Sequence, residues 1–237
     1  MRIVCLANSY KHNGRCIAGI NQIGRWVRPV SSSKKRAIDK TTRLINGDEP
    51  QILDVLEIPL YDYGPVDGCQ PENKLLKDGQ WEKISSVKPI DLLKYYEDDS
   101  VILHNNLDYV RAGCFRMIPN YGWKSLQLIH NEDVGFERDE NNKDKWRANF
   151  INSKGAALSL RVTDPIICER LERGEAINKD CLLTVSMAIG WSPYRQIARR
   201  CYKFVAGVVE LNSPEQTCGI QKIDPPLGEV LLAADAE

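Results

Sequence analysis

The chain has 237 residues, of which 43% are hydrophobic and 27% are charged, and its 32 Lys/Arg balance its 32 Asp/Glu. This length allows one large domain or two small ones with a sizeable core, and the composition is typical of a soluble globular protein. No apolar run approaches the length that spans a bilayer, and the first residues are too polar for a signal peptide. We therefore expect a cytoplasmic protein without a membrane partner.

The charges are unevenly spread along the chain. Residues 1–43 hold ten Lys/Arg and one acid, residues 44–142 hold nine against nineteen, and residues 143–210 hold twelve against seven. Two basic blocks thus flank an acidic middle. If folding brings the basic blocks together, they form a local positive patch that the zero net charge conceals; otherwise folding disperses them.

In the first half of the chain, short alternating apolar runs predict strands. Residues 2–7 predict a buried strand, and "RCIAGI" and "RWVRPVS" on either side of the turn "NQIG" predict a hairpin. A further strand begins at Ile52, where Pro59 favours an edge or a bend. Pro89 near the start of "SVKPIDLLKYYEDD" predicts a short helix that begins around Lys88.

The second half has a similar rhythm without an internal sequence repeat. The stretch "KWRANFINSKGAALSLRVTDP" predicts a hairpin, and "SLQLIHNEDVGFERDE", "CLLTVSMAI" and "CYKFVAGVVEL" predict strands. The segment "PIICERLERGEAI" predicts a helix. Gly and Pro gather in "RAGCFRMIPNYGWKS", which places a boundary near residue 120. Many short strands with few helices favour small barrels or sandwiches.

Cysteine and histidine spacing offers no specific metal or nucleophile signature. The eight cysteines are widely spaced with no C-x-x-C, so we expect free thiols that pack as small apolar residues. Cys5, His12 and Cys16 form C-x6-H-x3-C, which matches no usual zinc spacing. A Cys16–His12 pair lacks a protease signature, and phosphate-loop and dinucleotide fingerprints are absent. We predict no metal and no cofactor.

A metal-dependent nuclease is the main enzymatic alternative. Asp54 lies in a predicted strand, and Glu72, Asn73 and Lys74 follow later, which resembles a nuclease site in outline. Such sites hold a divalent cation with clustered carboxylates and position water with a lysine. However, acids are dense in this part of the chain, and Glu72 and Lys74 lie in an irregular stretch where that pattern needs a strand. We therefore expect no enzymatic activity.

Three groups of basic and aromatic residues point instead to nucleic acid, because Lys and Arg neutralise phosphates and aromatic rings stack on bases. The groups surround Trp26, Trp146 and Trp191. Their other members are Arg15, Arg25, Arg28, Lys34, Lys35 and Arg36 in the first, Lys145, Arg147 and Phe150 in the second, and Tyr194, Arg195, Arg199, Arg200, Tyr202 and Lys203 in the third. Their recurrence in one chain supports the hypothesis, since each group alone is a weak signal.

The chain also contains, in this order, "CLANSYKHNGRCIAGI", "WVRPVS", "QPEN", "SLQLI", "LRVTDP", "LLTVSMAIG" and "CYKFVAGVV". Together these pieces resemble the dual OB domain family of prokaryotic proteins, in which two oligonucleotide/oligosaccharide-binding (OB) barrels lie in tandem. The resemblance spans residues 1 to about 211, and its most specific part is the opening "CLANS" through "WVRPVS". It implies a nucleic-acid-binding protein associated with prokaryotic defence, with no catalytic residues to transfer.

The resemblance implies a mostly β fold: two tandem OB-like small β-barrels with a few short helices. We place the first barrel at residues 1–119, the second at 120–211, and an extended tail at 212–237. An OB barrel has five strands, and ligand lies across strands two and three and the flanking loops. We expect "VKPIDLLKYYED" and "PIICERLERGEAI" to be the helices between the third and fourth strands.

The expected binding positions that match the family are Asn8, Ser9, Lys11, Gly14, Arg15, Trp26, Arg28 and Ser31. Two departures from the family pattern alter the shape of the expected binding face. Lys74 stands where the family tends to have an aromatic residue, and "GWSPYRQIARR" is longer and more basic than the usual turn.

We therefore predict a non-catalytic module that binds single-stranded or structured nucleic acid, as an accessory to a prokaryotic defence or DNA-processing system. The expected phosphate contacts are Arg15, Arg25, Arg28, Arg147, Arg195, Arg199, Arg200 and Lys203. The stacking candidates are Trp26 and Trp146. One alternative is an adaptor whose acidic middle docks an effector such as a helicase or nuclease; another is a sensor of a nucleotide or small ligand between the barrels. The glycine-bounded hairpin is also suited to holding two barrels together.

Overall fold

The first part of the chain forms a six-stranded mixed sheet in a computed structural model, which describes residues 1–11, 13–97, 100–119, 122–192, 194 and 198–211. Its elements are β1 (Arg2–Lys11), β2 (Gly14–Ile20), β3 (Trp26–Val30), α1 (Lys40–Arg43), β4 (Asp54–Glu57), β5 (Asn73–Leu75) and β6 (Glu82–Ser86). The strand order is β5-β3-β2-β1-β4-β6, and β3 runs parallel to β5. Beyond β4 the chain reaches Leu60, which bridges Leu76 beside β5 and closes a five-stranded OB-like barrel.

Strand β1 is buried on both of its faces, which explains its nearly continuous apolar sequence. Ile3 and Cys5 point into the core of the first barrel. Val4 and Leu6 alternate with them and therefore point to the opposite face, where they pack with residues from the second half of the chain. A strand at an ordinary barrel surface would be polar at these two positions.

The helix of the first barrel is α1, which lies between β3 and β4. Asp39 caps it by accepting a hydrogen bond from the Thr42 backbone N–H at 3.0 Å. The segment predicted to be this helix instead forms a 3₁₀ helix at Pro89–Tyr95, after β6. The proline signal for a helical start was correct, but the helix does not lie between the third and fourth strands.

The segment after this 3₁₀ helix contains β7 (Tyr109–Arg111) and a second 3₁₀ helix at Ala112–Arg116. The second barrel then follows with β8 (Leu126–Asn131), β9 (Gly135–Arg138), β10 (Trp146–Ile151), β11 (Ala157–Val162), α2 (Pro165–Glu172), β12 (Cys181–Met187) and β13 (Arg200–Glu210). The strand order is β8-β12-β13-β11-β10-β9, with β11 parallel to β13. The predicted hairpin, strands and helix of this half are confirmed, and the chain is mostly β with two OB-like units.

Residues before position 120 already belong to the core of the second barrel. Strand β7 pairs antiparallel with β13, and Ile102, Val110 and Phe115 lie in the core of the second barrel. The boundary predicted between residues 119 and 120 therefore differs from the packing, because a strand of three residues joins a sheet formed 90 residues later. The predicted tail at 212–237 lies outside the described residues.

The two barrels share a continuous apolar contact. Ala7 and Ala18 of the first barrel pack with Leu126 and Ala206 of the second. Gly207 lies against Leu6 so closely that a Cβ on the glycine would be 2.1 Å from the Leu6 carbonyl oxygen. Small residues at this contact let the two backbones approach directly.

In the part of the chain that the structure covers, no helix is both long and apolar enough to cross a bilayer.

Candidate nucleic-acid interface

The predicted phosphate contact Arg28 is an interior residue. Its side chain is 0% exposed, and its guanidinium donates hydrogen bonds to Ser125 Oγ at 2.8 Å, to the Ser125 carbonyl at 3.2 Å and to Ser186 Oγ at 3.2 Å. Both serines belong to the second barrel. Arg28 is therefore corrected from a surface phosphate contact to a link between the two barrels, because no ligand reaches a fully buried guanidinium.

Glu72 completes this link from the first barrel. Its carboxylate accepts hydrogen bonds from the Ser125 backbone N–H at 2.6 Å and from Ser125 Oγ at 2.8 Å. The Glu72 carbonyl accepts a hydrogen bond from the Arg28 backbone N–H at 2.9 Å. The pieces "WVRPVS" and "QPEN", which carry the family resemblance, thus meet at one serine of the opposite barrel.

The other predicted binding residues of the first barrel mostly contact groups of the protein itself. Asn8 and Ser9 are buried, with side chains hydrogen-bonded to the carbonyls of Pro50 and Cys16. They are corrected from ligand contacts to interior residues. The Arg15 guanidinium lies 4.3 Å from the centre of the Tyr10 ring.

Four further predicted positions lie in or beside the hairpin. Lys11 is half-buried, and burial lowers the pKa of its ammonium. Trp26 is partly buried against the contact between the barrels, and Ser31 shares a hydrogen bond with Ser33. Arg25 is exposed at the hairpin turn. The hairpin therefore does not present a row of free cations.

Trp146 and Arg147 both donate hydrogen bonds to neighbouring acidic side chains. The Arg147 guanidinium donates to Asp139 Oδ2 at 2.9 Å, and Trp146 Nε1 donates to Glu172 Oε1 at 2.8 Å. The guanidinium of Arg138 covers the indole ring of Trp146 at 4.2 Å from its centre. A base cannot stack on the ring face that a guanidinium already occupies, so this group is less accessible than the sequence predicts.

Lys203 is also corrected from a phosphate contact, because it is 2% exposed. Its ammonium donates to the carbonyls of Ile102 at 2.7 Å, Asn105 at 2.6 Å and Leu107 at 2.7 Å, and to Asn105 Oδ1 at 2.8 Å. Burial lowers the pKa of Lys203 to about 7, and the nearby Asp108 charge opposes that shift. The lysine therefore holds the loop that precedes β7.

The third group does form an accessible basic and aromatic surface, which includes two residues that the sequence did not indicate. Arg200 of β13 lies directly opposite Arg111 of β7, and Tyr202 lies opposite Tyr109. Residues directly opposite in an antiparallel pair share one face of the sheet. Trp191 bridges Arg200 on its other side and is 58% exposed. We call these five residues the basic–aromatic face.

Ring contacts and charge set the properties of the basic–aromatic face. The Arg200 guanidinium lies 4.2 Å from the centre of the Tyr109 ring, and the Tyr109 and Tyr202 ring centres are 5.9 Å apart. A hydrogen bond with Tyr202 raises the pKa of Arg200 above its ordinary value. Within the described residues, Arg111 and Arg200 form no ion pair, although the nearby Asp108 charge also contributes to the raised pKa of Arg200. Like charges directly opposite each other in a sheet repel, so this pair favours an anion.

Two more predicted residues belong to the connection that leads into β13. Arg199 is exposed next to the basic–aromatic face, and Arg195 lies outside the described residues. Tyr109 and Arg111 could not be assigned to this surface from the sequence, because their three-residue strand pairs with a strand about 90 residues later. The only local sign of this strand is the alternation in "YVR".

The described residues contain no group of three or more His, Cys, Asp or Glu side chains arranged to hold a metal ion. Asp54 is held by Lys83 at 2.6 Å and by Ser86, whereas Glu72 is held by Ser125. The described cysteines are free thiols, as expected, and burial raises the pKa of Cys5 to about 12. His12, the middle residue of the C-x6-H-x3-C spacing, lies outside the described residues.

A cleft of about 430 Å³ opens between the end of β8 and the end of β10. Tyr96 and Phe150 contribute to its walls, together with the carboxylates of Glu97, Glu132 and Asp133. Glu97 and Asp133 are paired with Lys124 and Lys179, so the lining is less negative than its carboxylates alone suggest. All of its residues come from positions 96–153, so this cleft is not the site between the barrels that we considered for a nucleotide or small ligand.

A scan against protein families supports the fold at the level of the whole chain. The model described as "Dual OB-containing domain" matches residues 1–208. No curated protein and no solved structure matches the chain significantly. Since the match covers most of the 237 residues and both barrels have the expected architecture, the chain belongs to the dual OB-containing domain family.

Proposed function

We propose that this chain is a non-catalytic nucleic-acid-binding module whose ligand lies across the basic–aromatic face. The observation that carries the proposal is the direct opposition of Arg111 and Arg200 in the sheet, with no ion pair to either arginine among the described residues. Two arginines at directly opposite positions repel each other, and a phosphate bound between them relieves that repulsion.

The neighbouring rings supply the second part of the recognition. Trp191 is exposed, and an exposed indole stacks on any base because every base has a π-face. Trp191 also lies in the connection between β12 and β13. These strands are the fourth and fifth of the OB fold, and the loop between them is one that OB folds use for ligands. Phosphate contacts together with stacking favour salt-sensitive binding with little sequence preference.

Fluorescence anisotropy with a labelled single strand of about sixteen nucleotides, the upper end of the length that one OB fold covers, tests the proposal. DNA and RNA strands and a duplex of the same sequence are compared at about 50 and 200 mM salt. We expect Arg200→Ala to weaken binding about tenfold or more, because a hydrogen bond to a charged group contributes about 1.5–3 kcal/mol. The slope of log K against log salt falls by about 0.7 for each lost phosphate contact.

Arg173→Ala is the matched control, since Arg173 is an exposed arginine of the second barrel outside the basic–aromatic face. We expect its affinity to match that of the wild type. Equal losses in the Arg200 and Arg173 variants, or no binding of any strand at low salt, contradict the proposed interface.

A second candidate function is an adaptor that docks a partner protein such as a helicase or nuclease, in a prokaryotic defence or DNA-processing system. The exposed carboxylate of Glu132 at the cleft between β8 and β10 favours it, because it offers a negative charge to a basic partner segment. Co-purification of one partner that is lost on Glu132→Lys, with no nucleic-acid binding by the isolated chain, supports the adaptor over the first proposal.

A further inference from the structure

The buried ammonium of Lys203 is surrounded by one loop. Its acceptors all come from residues 102–107, at N···O distances of 2.6–2.8 Å. The backbone of Lys203 adds a hydrogen bond from its N–H to the Asp108 carbonyl at 2.8 Å. One residue of β13 therefore fixes most of the loop that leads into β7.

This loop does not have a conformation that the chain adopts easily. Leu103 and His104 have positive φ angles of 44° and 77°, in the region that favours glycine. Non-glycine residues in that region are strained and persist only where their surroundings impose the conformation. The bonds from the Lys203 ammonium supply such surroundings, together with the hydrogen bond from the Leu103 N–H to Gln127 Oε1 at 2.8 Å.

Asn105 connects the ammonium to the basic–aromatic face. Its Oδ1 accepts a hydrogen bond from Lys203 Nζ at 2.8 Å, and its Nδ2 donates to the carbonyl of Tyr109 at 3.1 Å. Tyr109 begins β7, and Arg111 ends it. A continuous chain of hydrogen bonds thus runs from the buried charge to the strand that carries half of the face.

We propose that Lys203 is a positioning residue for the nucleic-acid site: its buried ammonium, acting through Asn105, holds β7 in the register that places Arg111 beside Arg200. The inference rests on the proposed function. It assigns to Lys203 a role distinct from the phosphate contact that its place in the basic cluster suggests.

The location of this charge supports a positioning role over a purely stabilising one. Burying an ammonium is costly, and an apolar residue of similar volume often stabilises a protein as well or better. An apolar side chain cannot donate to carbonyls, so it would leave the loop without its donor and β7 without its anchor. Strand β7 has three residues and, among the described strands, pairs with β13, so the loop before it contributes to its position.

A double-mutant cycle between Lys203 and Arg111 tests the inference in the full chain. The variants are Lys203→Met, Arg111→Ala and the double variant, measured by anisotropy with the same labelled single strand. Measurements at pH 6 keep the amine protonated, because its pKa is about 7. Lys179→Met is the control, since it removes one exposed positive charge from the second barrel.

We expect Lys203→Met and Arg111→Ala each to weaken binding about tenfold, and the double variant to be weaker than Arg111→Ala by no more than about twofold. If Lys203 acts through Arg111, replacing Lys203 has no further effect on affinity once Arg111 is removed. The slope of log K against log salt falls by the same amount in both single variants. A variant that only loses folding stability would not show this change in slope. Lys179→Met binds like the wild type.

Three outcomes overturn the inference. If Lys203→Met binds like the wild type while Arg111→Ala is weakened, Lys203 has no positioning role and the proposed interface stands. If the two effects multiply to about a hundredfold loss, Lys203 acts independently of Arg111. If Arg111→Ala itself has no effect, the proposed interface fails and the inference fails with it.

Asn105→Ala decides the matter if Lys203→Met does not fold. It removes the connection to Tyr109 and one acceptor of the Lys203 ammonium from a half-buried position, and it leaves the lysine and its three carbonyl acceptors in place. We expect it to weaken binding in the same direction in a protein that stays folded. Unchanged affinity in a folded Asn105→Ala protein contradicts the inference.

Discussion

Replacing Arg28 by methionine separates the structural role of the hairpin from a ligand-binding role. Methionine keeps an unbranched apolar side chain in the contact between the barrels and removes the guanidinium. The three hydrogen bonds to Ser125 and Ser186 are lost, while the backbone bond to Glu72 remains. The main effect is thus the loss of one buried charged donor.

The expected loss of stability is large. Each hydrogen bond to a charged group contributes about 1.5–3 kcal/mol, but removing a buried charge also removes the cost of its desolvation, which offsets part of the three lost bonds. Because Arg28 is fully buried, solvent does not replace its partners. We therefore expect the free energy of unfolding to fall by about 1.5–3 kcal/mol, out of the roughly 5–15 kcal/mol that is typical of a domain.

Urea denaturation followed by tryptophan fluorescence measures this loss, with Arg25→Met as the control. Arg25 is an exposed arginine at the turn of the same hairpin, so its replacement should change stability by no more than about 0.5 kcal/mol. At low temperature, folded Arg28→Met protein should bind nucleic acid as the wild type does. A stability change below about 1 kcal/mol together with weakened binding would refute the structural role of Arg28.

Two further predictions concern the contact between the barrels and the cap of α2. Gly207→Ala should lower the free energy of unfolding by about 1–3 kcal/mol or more because its Cβ meets the Leu6 carbonyl, whereas Gly113→Ala, in open space, should be nearly neutral by urea denaturation. Burial raises the pKa of Asp164 to about 6, so its contribution to stability is fully present below about pH 4 and is lost as the pH rises through 6. The stability of Asp164→Asn relative to the wild type should therefore be higher at pH 7 than at pH 4 by up to about 3 kcal/mol, and an equal difference at both pH values contradicts this.

The strands and hairpins could be predicted from the sequence because their signals are local. The β2–β3 hairpin has its turn at residues 21–25, where Gly24 has a φ of 74°, and the alternation on either side sets which residues point inward. The same local rules gave the helix after Asp164, whose carboxylate accepts hydrogen bonds from the Ile166 and Ile167 N–H groups. Each of these elements is specified within about a dozen residues.

The role of Arg28 could not be predicted in this way. An arginine in a basic stretch is usually solvated, and the features that bury it are two serines about 100 and 160 positions later. The opposite face of its strand is apolar in either case, so the alternation does not distinguish a solvent-facing arginine from one that faces a second barrel. The contacts favour the hypothesis that the glycine-bounded hairpin holds the two barrels together.

The surface around Arg200 could be predicted in part. The cluster that follows Trp191 pointed to the connection on which the proposed site lies, but not to which of its cations stay accessible. Lys203 is three residues from Arg200, so the alternation of the strand places it on the opposite face, where its ammonium bonds the loop before β7. The partner strand with Arg111 is paired across 90 residues, and no local pattern carries that information.

The proposed ligand surface lies away from the most basic segment of a chain with zero net charge. In that first basic block Arg2, Arg36 and Arg43 pair with acids of the same barrel. Arg25, Lys34 and Lys35 are exposed, but they lie outside the strands. The second and third strands of that barrel, the usual ligand face of an OB fold, lie against the other barrel. The second barrel carries the opposed residues Arg111 and Arg200 on a β surface, which is why we place the proposed ligand there. This proposal depends on the position of accessible cations on a strand rather than on their density along the sequence.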